Sequence, residues 1–129
     1  RAEKLGGRVI FTGSVPDPQR YLTAMDAMAL PSLFEGFPTV LLEWQCAGLP
    51  TLVSDRVTRE AALMDWVRFM PLEQGADAWA RGLCELPRLD RASASAQAAR
   101  LLGERGHALE DAADVLARFY QGIAPRPRA

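Results

Sequence analysis

The sequence predicts an α/β fold: a parallel sheet of about four strands, helices on both faces, and a helical C-terminal tail. Two observations carry this. Short apolar, β-branched runs alternate with helix-like stretches as far as Met70, and from Pro71 onward only helical patterns follow. Strand and helix alternating at that rhythm call for parallel strands joined by right-handed crossovers.

The elements follow in order. "RVIFTG" (8–13) is a β-branched and aromatic run closed by a glycine, a strand entering a turn. Asp17 then stands as a helix N-cap with Pro18 at the first helical position, and Tyr21, Leu22, Met25 and Met28 fall near helical spacing. "AMALPS" (27–32) is apolar enough for a strand buried on both faces. The next helix begins near Pro38 or Thr39 and stops at Gly48. "PTLVSD" (50–55) and "VRFM" (67–70) are the third and fourth strands, with a short helix in "TREAALMD" between them. "GADAWARGLCEL" (75–86) places Trp79, Leu83 and Leu86 on one helix face before Pro87. An alanine-rich helix ends near Gly103 or Gly106, and "HALEDAADVLARFYQGI" (107–123) gives a last amphipathic one. The domain is therefore expected over 1–123, with 124–129 a disordered tail.

With 129 residues, 49% of them hydrophobic and 24% charged, the chain is one globular domain in size and composition. A formal net charge of −1 argues against a protein that grips nucleic acid through its phosphates. No apolar run approaches the ~20 residues of a membrane span, and no signal-peptide pattern opens the chain. Cys46 and Cys84 lack metal-type spacing and read as buried free thiols in a reducing compartment, so a cytoplasmic location is expected. The missing initiator Met and the very early first strand read as a fragment of something longer.

The stretch "FEGFPTVLLEWQCAGLPTLVSD" (34–55) carries the chemistry. Glu35 and Glu43 are separated by seven residues, one in a Gly-Phe-Pro loop and one inside an otherwise apolar helix. The loop lies at the carboxyl end of a parallel strand, where open α/β sheets bind ligands. The helix start offers N–H groups and a positive dipole end, which suit phosphate. Gly36 lets the backbone approach a ligand closely or take a positive φ, Pro38 stiffens the turn, and Thr39 could add a hydroxyl to the phosphate. Glu43, a turn further on, matches a vicinal diol such as a ribose offers. A plainer reading stands beside this one: Glu35 as a loop acid favouring the helix dipole, Glu43 as a solvent-facing helix residue.

These residues resemble the retaining family-4 glycosyltransferases of the GT-B fold, whose signature is two glutamates with seven residues between them in a "PS-x-x-EG-F/L-P" context, here "PSLFEGFPTVLLEWQCAGLPTLVSD". The segments on either side are similar to the branch that builds exopolysaccharide or capsule, and support extends over about residues 8 to 86. The resemblance implies part of a Rossmann-like C-terminal domain that binds a nucleotide-sugar donor. It implies Glu43 on the ribose hydroxyls and Glu35, the catalytic candidate, by the donor sugar. Gly36 and Phe37 would lie near sugar and phosphate, Thr39 and Val40 at the diphosphate, and Gly13 near the base. It implies no metal and no cofactor beyond the nucleotide-diphosphate sugar, with UDP the expected nucleotide. The partners implied are that donor and a saccharide or lipid-linked acceptor held by a domain upstream, with no nucleic acid. The full enzyme has room for peripheral contact at the inner face of the plasma membrane. The family's diphosphate-neutralising Arg and Lys lie upstream of Arg8, so transfer by the isolated chain is not expected.

Trp44 replaces a small residue of the family pattern and is expected in the core, with Trp66 and Trp79. His107 is expected at a cap or in solvent; Asp55 and Glu60 could line the same cleft, and for Asp55 capping the short helix near Thr58 is an equal alternative. A receiver-like regulatory module would want acids after its first strand and a lysine near its last. "RVIFTGSV" has no acid, and Lys4 is the only lysine. A nucleotide-binding module kept for assembly with a partner would need Glu43 but not Glu35.

Overall fold

The computed structural model describes residues 6–106 and 109–120. The expected tail at 124–129 and His107 lie outside the described residues.

Three strands form one parallel sheet in the order β1 (Met28–Leu30), β2 (Thr51–Ser54), β3 (Val67–Met70). Met28 pairs with Thr51, and Thr51 in turn with Val67. The helices are α1 (Pro18–Leu22), α2 (Thr39–Cys46), α3 (Gly75–Cys84), α4 (Arg91–Glu104) and α5 (Leu109–Tyr120), with 3-10 turns at Arg59–Ala61 and Leu72–Gln74. β2 is the central strand and every residue of it is buried. Its neighbours Leu52 and Val53 point to opposite faces, as successive strand residues must. Val53 joins Leu41 and Trp44 of α2, Leu22, Leu49 and Val57 in the main core. On the other face, Gly82 of α3 lies against Leu52 and Met70. Helices therefore cover both faces, as the alternating pattern predicted.

Two expectations about strands need correction. The run 8–13 joins no ladder, so the described sheet has three strands and not four. Ile10 and Phe11 are 81% and 83% exposed. β-propensity describes fit to a pleated, half-buried surface, and this run has no neighbour to supply one. β1 was expected to be buried on both faces, yet it is a sheet edge with Ala29 exposed. The first helix is also shorter than its apolar spacing suggested. Pro18 opens it as predicted, but Asp17 makes no capping hydrogen bond and the helix stops at Leu22.

Between α2 and the segment leading to β3 lies Gln45, fully buried. Its Nε2 donates to the carbonyls of Leu41 and Ala61, both at 2.8 Å, while its Oε1 accepts from the N–H groups of Leu63 (2.8 Å) and Met64 (3.0 Å). One amide thus bonds a carbonyl of its own helix and satisfies three backbone groups of a connection that has little regular structure of its own.

All three tryptophans are buried, as expected. Trp66 sits in a second cluster with Met64, Ala94 and Ala98, tying α4 to the base of β3. Its indole N–H finds no acceptor among the described residues, whereas Trp79 Nε1 donates to the Pro71 carbonyl at 3.1 Å. Trp66→Phe should consequently cost about 1 kcal/mol less than Trp79→Phe, because only the second change removes a hydrogen bond. Paired urea denaturation curves test this, and equal losses would refute it.

The cysteines are both free, but only Cys46 is partly buried; Cys84 is exposed near the end of α3. The apolar neighbours of Cys84 in sequence belong to helix positions that face inward while it faces out.

Candidate functional site

The loop that follows β1 holds Glu35, Gly36 and Phe37, and α2 begins at Thr39, so strand end and helix start meet as the sequence predicted. Glu35 is half-buried, and Ser32 Oγ donates to its Oε1 at 2.7 Å. That bond fixes the carboxylate against its own loop and leaves Oε2 as a second acceptor site. Gly36 does not take a positive φ. Its use lies in space: a Cβ added there meets nothing within 4 Å, so a ligand could approach the backbone closely. No side chain caps the amino end of α2, where Pro38 stands. The first-turn N–H groups at Thr39 and Val40 thus meet the positive end of the helix dipole without a local carboxylate or hydroxyl cap.

Glu43 follows Thr39 by four residues and shares its helix face. It is exposed on a helix whose residues from Val40 to Cys46 are otherwise buried or half-buried, which is where the plainer reading also placed it. The buried polar residue of α2 is Gln45. Glu43 lines a groove of about 440 Å³ between α1, α2 and α4, together with Gln19, Thr23, Cys46, Arg91 and Ser95. Burial, and then the nearby Glu43 carboxylate, push the Cys46 thiol above its ordinary pKa and keep it protonated. Glu35 is not part of that groove. Gly13 lies outside any strand, fully open, in the left-handed region at φ 62°. The turn that expectation gave it is present, and the strand before it is not.

At the carboxyl ends of β2 and β3 stands an ion cluster that the sequence did not reveal. Arg56 Nη2 lies 2.6 Å from Glu73 Oε1, and its Nε lies 3.9 Å from Asp55 Oδ1. The hydrogen bond from Arg56 holds the Glu73 carboxyl below the usual range, and Glu73 in turn raises the Arg56 guanidinium. Both are solvent-exposed, so the pair adds little stability. Asp55 belongs to this cluster, while the 3-10 turn at Arg59–Ala61 is capped by Thr58, whose hydroxyl accepts from Glu60 N–H. Among the described residues no group of three or more His, Cys, Asp or Glu could hold a metal ion, and no helix is long and apolar enough to cross a membrane.

Residues 1–88 match the family described as "Glycosyl transferases group 1". The chain belongs to that family. The matched residues contain the whole sheet, the 35–37 loop and α2, so the glycosyltransferase segment and the α/β core coincide. A Bacillus subtilis (strain 168) protein, "Putative glycosyltransferase EpsF", is 33% identical over 81 residues, which are 62% of this chain and 21% of that relative. The chain thus spans about a fifth of the relative's length. No solved structure matches it significantly.

Two residues of structural consequence were missed by sequence reasoning. Gln45 gave no signal, since a glutamine between Trp44 and Cys46 is unremarkable on a helix. Arg91 opens a helix that looked like a tail, and lies just beyond the family match.

Proposed function

We propose that this chain is the donor-binding part of a retaining glycosyltransferase of the GT-B fold, moving a hexose-type sugar from a nucleotide diphosphate to a saccharide or lipid-linked acceptor. The observation that carries the proposal is the junction of Glu35, Gly36 and Phe37 between the carboxyl end of β1 and the uncapped amino end of α2. In this reading the diphosphate lies at Thr39 and Val40, the sugar lies by Glu35 and the open side of Gly36, and Glu43 holds the ribose diol. Gly13 lies towards the base. As the anomeric C–O bond breaks, the departing diphosphate takes the electron pair, and the positive end of α2 faces the charge that develops. In this reading positioning and leaving-group stabilisation carry the reaction more than a protein nucleophile does. The relative's printed name, with family membership, supports glycosyl transfer, and surface polysaccharide synthesis is the setting proposed. UDP is the expected nucleotide.

The test is a titration of the 129-residue chain with UDP, GDP and ADP, followed by NMR shift and thermal unfolding. A nucleotide at a hundred times its Kd should add about 2.7 kcal/mol of stability. Glu43→Ala should abolish that gain while leaving the unliganded Tm unchanged, because Glu43 is exposed and makes no contact in the core. A chain indifferent to all three nucleotides, or a Glu43→Ala variant that binds as well as the parent, would sink the proposal.

A further inference from the structure

Arg91 is the first residue of α4, and its guanidinium uses all five N–H donors on backbone carbonyls. Nε and Nη2 reach Ala47 O at 3.1 and 2.7 Å. The second Nη2 bond goes to Leu22 O at 3.0 Å, and Nη1 reaches Met25 O at 2.9 Å and Thr23 O at 3.3 Å. Ala47 is the C-cap of α2, and Leu22 and Thr23 close α1. A helix leaves its last carbonyls without partners and its carboxyl end partly negative, so one planar cation here answers two helix ends at once. One turn further along α4, Ser95 Oγ donates to Cys46 O, the last residue of α2.

We infer that Arg91 is a positioning residue for the nucleotide site: it locks α1 to α2 and so fixes the width of the groove in which Glu43 stands. The inference rests on the donor-binding reading above. The groove walls belong to α1, α2 and α4, and among the described residues Arg91 is the one side chain seen hydrogen-bonded to the ends of both of the other helices. With all five donors engaged, Arg91 acts through the placement of Gln19, Thr23 and Glu43 and does not itself bind ligand. A helix outside the family-matched residues thereby sets the geometry of a site within them. Lysine cannot replace the fork, since its three donors radiate from one nitrogen and cannot lie in the plane of four carbonyls.

The experiment compares the 129-residue chain with Arg91→Lys and Arg91→Met, reading nucleotide Kd alongside the alkylation rates of the two cysteines by mass spectrometry. Cys46 lines the groove and is half-buried, while Cys84 is already exposed. Arg91→Met should weaken binding of the preferred nucleoside diphosphate about tenfold, a change of about 1.4 kcal/mol. It should also speed Cys46 labelling several-fold while leaving Cys84 as it was, with Arg91→Lys in between. A merely structural role would lower Tm and leave the Kd of the folded protein at its parent value, and that result overturns the inference. Should Arg91→Met not fold, an unchanged Kd in Arg91→Lys overturns it equally. A parent chain that binds no nucleotide strikes the donor-binding reading itself, and is told apart because it needs no variant to be seen.

Discussion

Gln45→Met is expected to remove about 3–6 kcal/mol of folding stability, a large share of what a domain of this size holds. The methionine fills the same volume, so packing changes little. What is lost is the bonding of a buried amide whose partners at Ala61 and Met64 are themselves in buried residues. Ala61 O, and the N–H groups of Leu63 and Met64, lose their recorded partner together. Ala61 and Met64 are buried, and each stranded group costs about 1–3 kcal/mol. Leu41 O is less affected, because it sits inside α2 and has the helix's own N–H to accept from. The measurement is the urea midpoint and slope of the parent and the variant. A loss below about 1 kcal/mol would mean the connection from Arg59 to Met64 finds other partners, and that the amide is dispensable. Gln45→Glu serves as a second arm: it keeps an acceptor for the two N–H groups but brings a charge into a site with no cation, so it should be no better than methionine.

Gly48→Ala should cost about 2–5 kcal/mol, combining the strain of a left-handed conformation with overpacking. Gly48 has φ 65°, and a Cβ there would lie 2.7 Å from the Arg91 carbonyl oxygen and 3.2 Å from Ser95 N. Both obstacles are backbone, on the first turns of α4, and cannot rotate aside. Gly82→Ala is the control. Its Cβ would also meet an atom at 2.7 Å, but that atom is Met70 Cε, the end of a flexible side chain. At position 82 alanine also recovers about 1 kcal/mol of helix propensity. The expected ranking in denaturation experiments is a large loss at 48 and a small one at 82. Equal losses would show that the α2–α4 contact yields more easily than its geometry implies.

The parts of the fold legible in the sequence are those decided by local pattern. The starts of α2 and α3, the stop at Gly48 and the whole of β3 fall where spacing, turn residues and β-branched runs placed them. What the sequence could not show depends on neighbours. Residues 8–13 have the composition of a strand, but among the described residues no adjacent strand pairs with them, so composition alone overcounted. "AMALPS" was equally apolar, yet a sheet edge leaves Ala29 in solvent. The same limit applies to the candidate site. The Glu35 loop and the start of α2 were readable because glycine, proline and strand end are local signals. For Glu43 the apolar neighbours in sequence left two readings open, aimed at a ligand or facing solvent, and helix geometry turns Leu41, Trp44 and Gln45 inward and leaves Glu43 exposed. Arg91 was invisible since its four carbonyl partners come from positions remote in sequence.

The bare run at Ile10 and Phe11 and the unpaired outer side of β1 bear on colloidal behaviour as well as on architecture. Among the described residues the rim at β1 leaves backbone hydrogen-bonding groups open, Leu33 and Phe34 just beyond it are 82% and 83% exposed, and Ile10 and Phe11 add further exposed apolar surface. Such a rim is a template for another copy of the chain. With a net charge of only −1, copies repel one another weakly. Solubility at high concentration should therefore respond to this rim, as it should to the exposed Leu116, Phe119 and Tyr120 of α5, and acidic or lysine residues placed at Ala29, Ile10 or Phe11 would reduce the exposed apolar surface without entering the core.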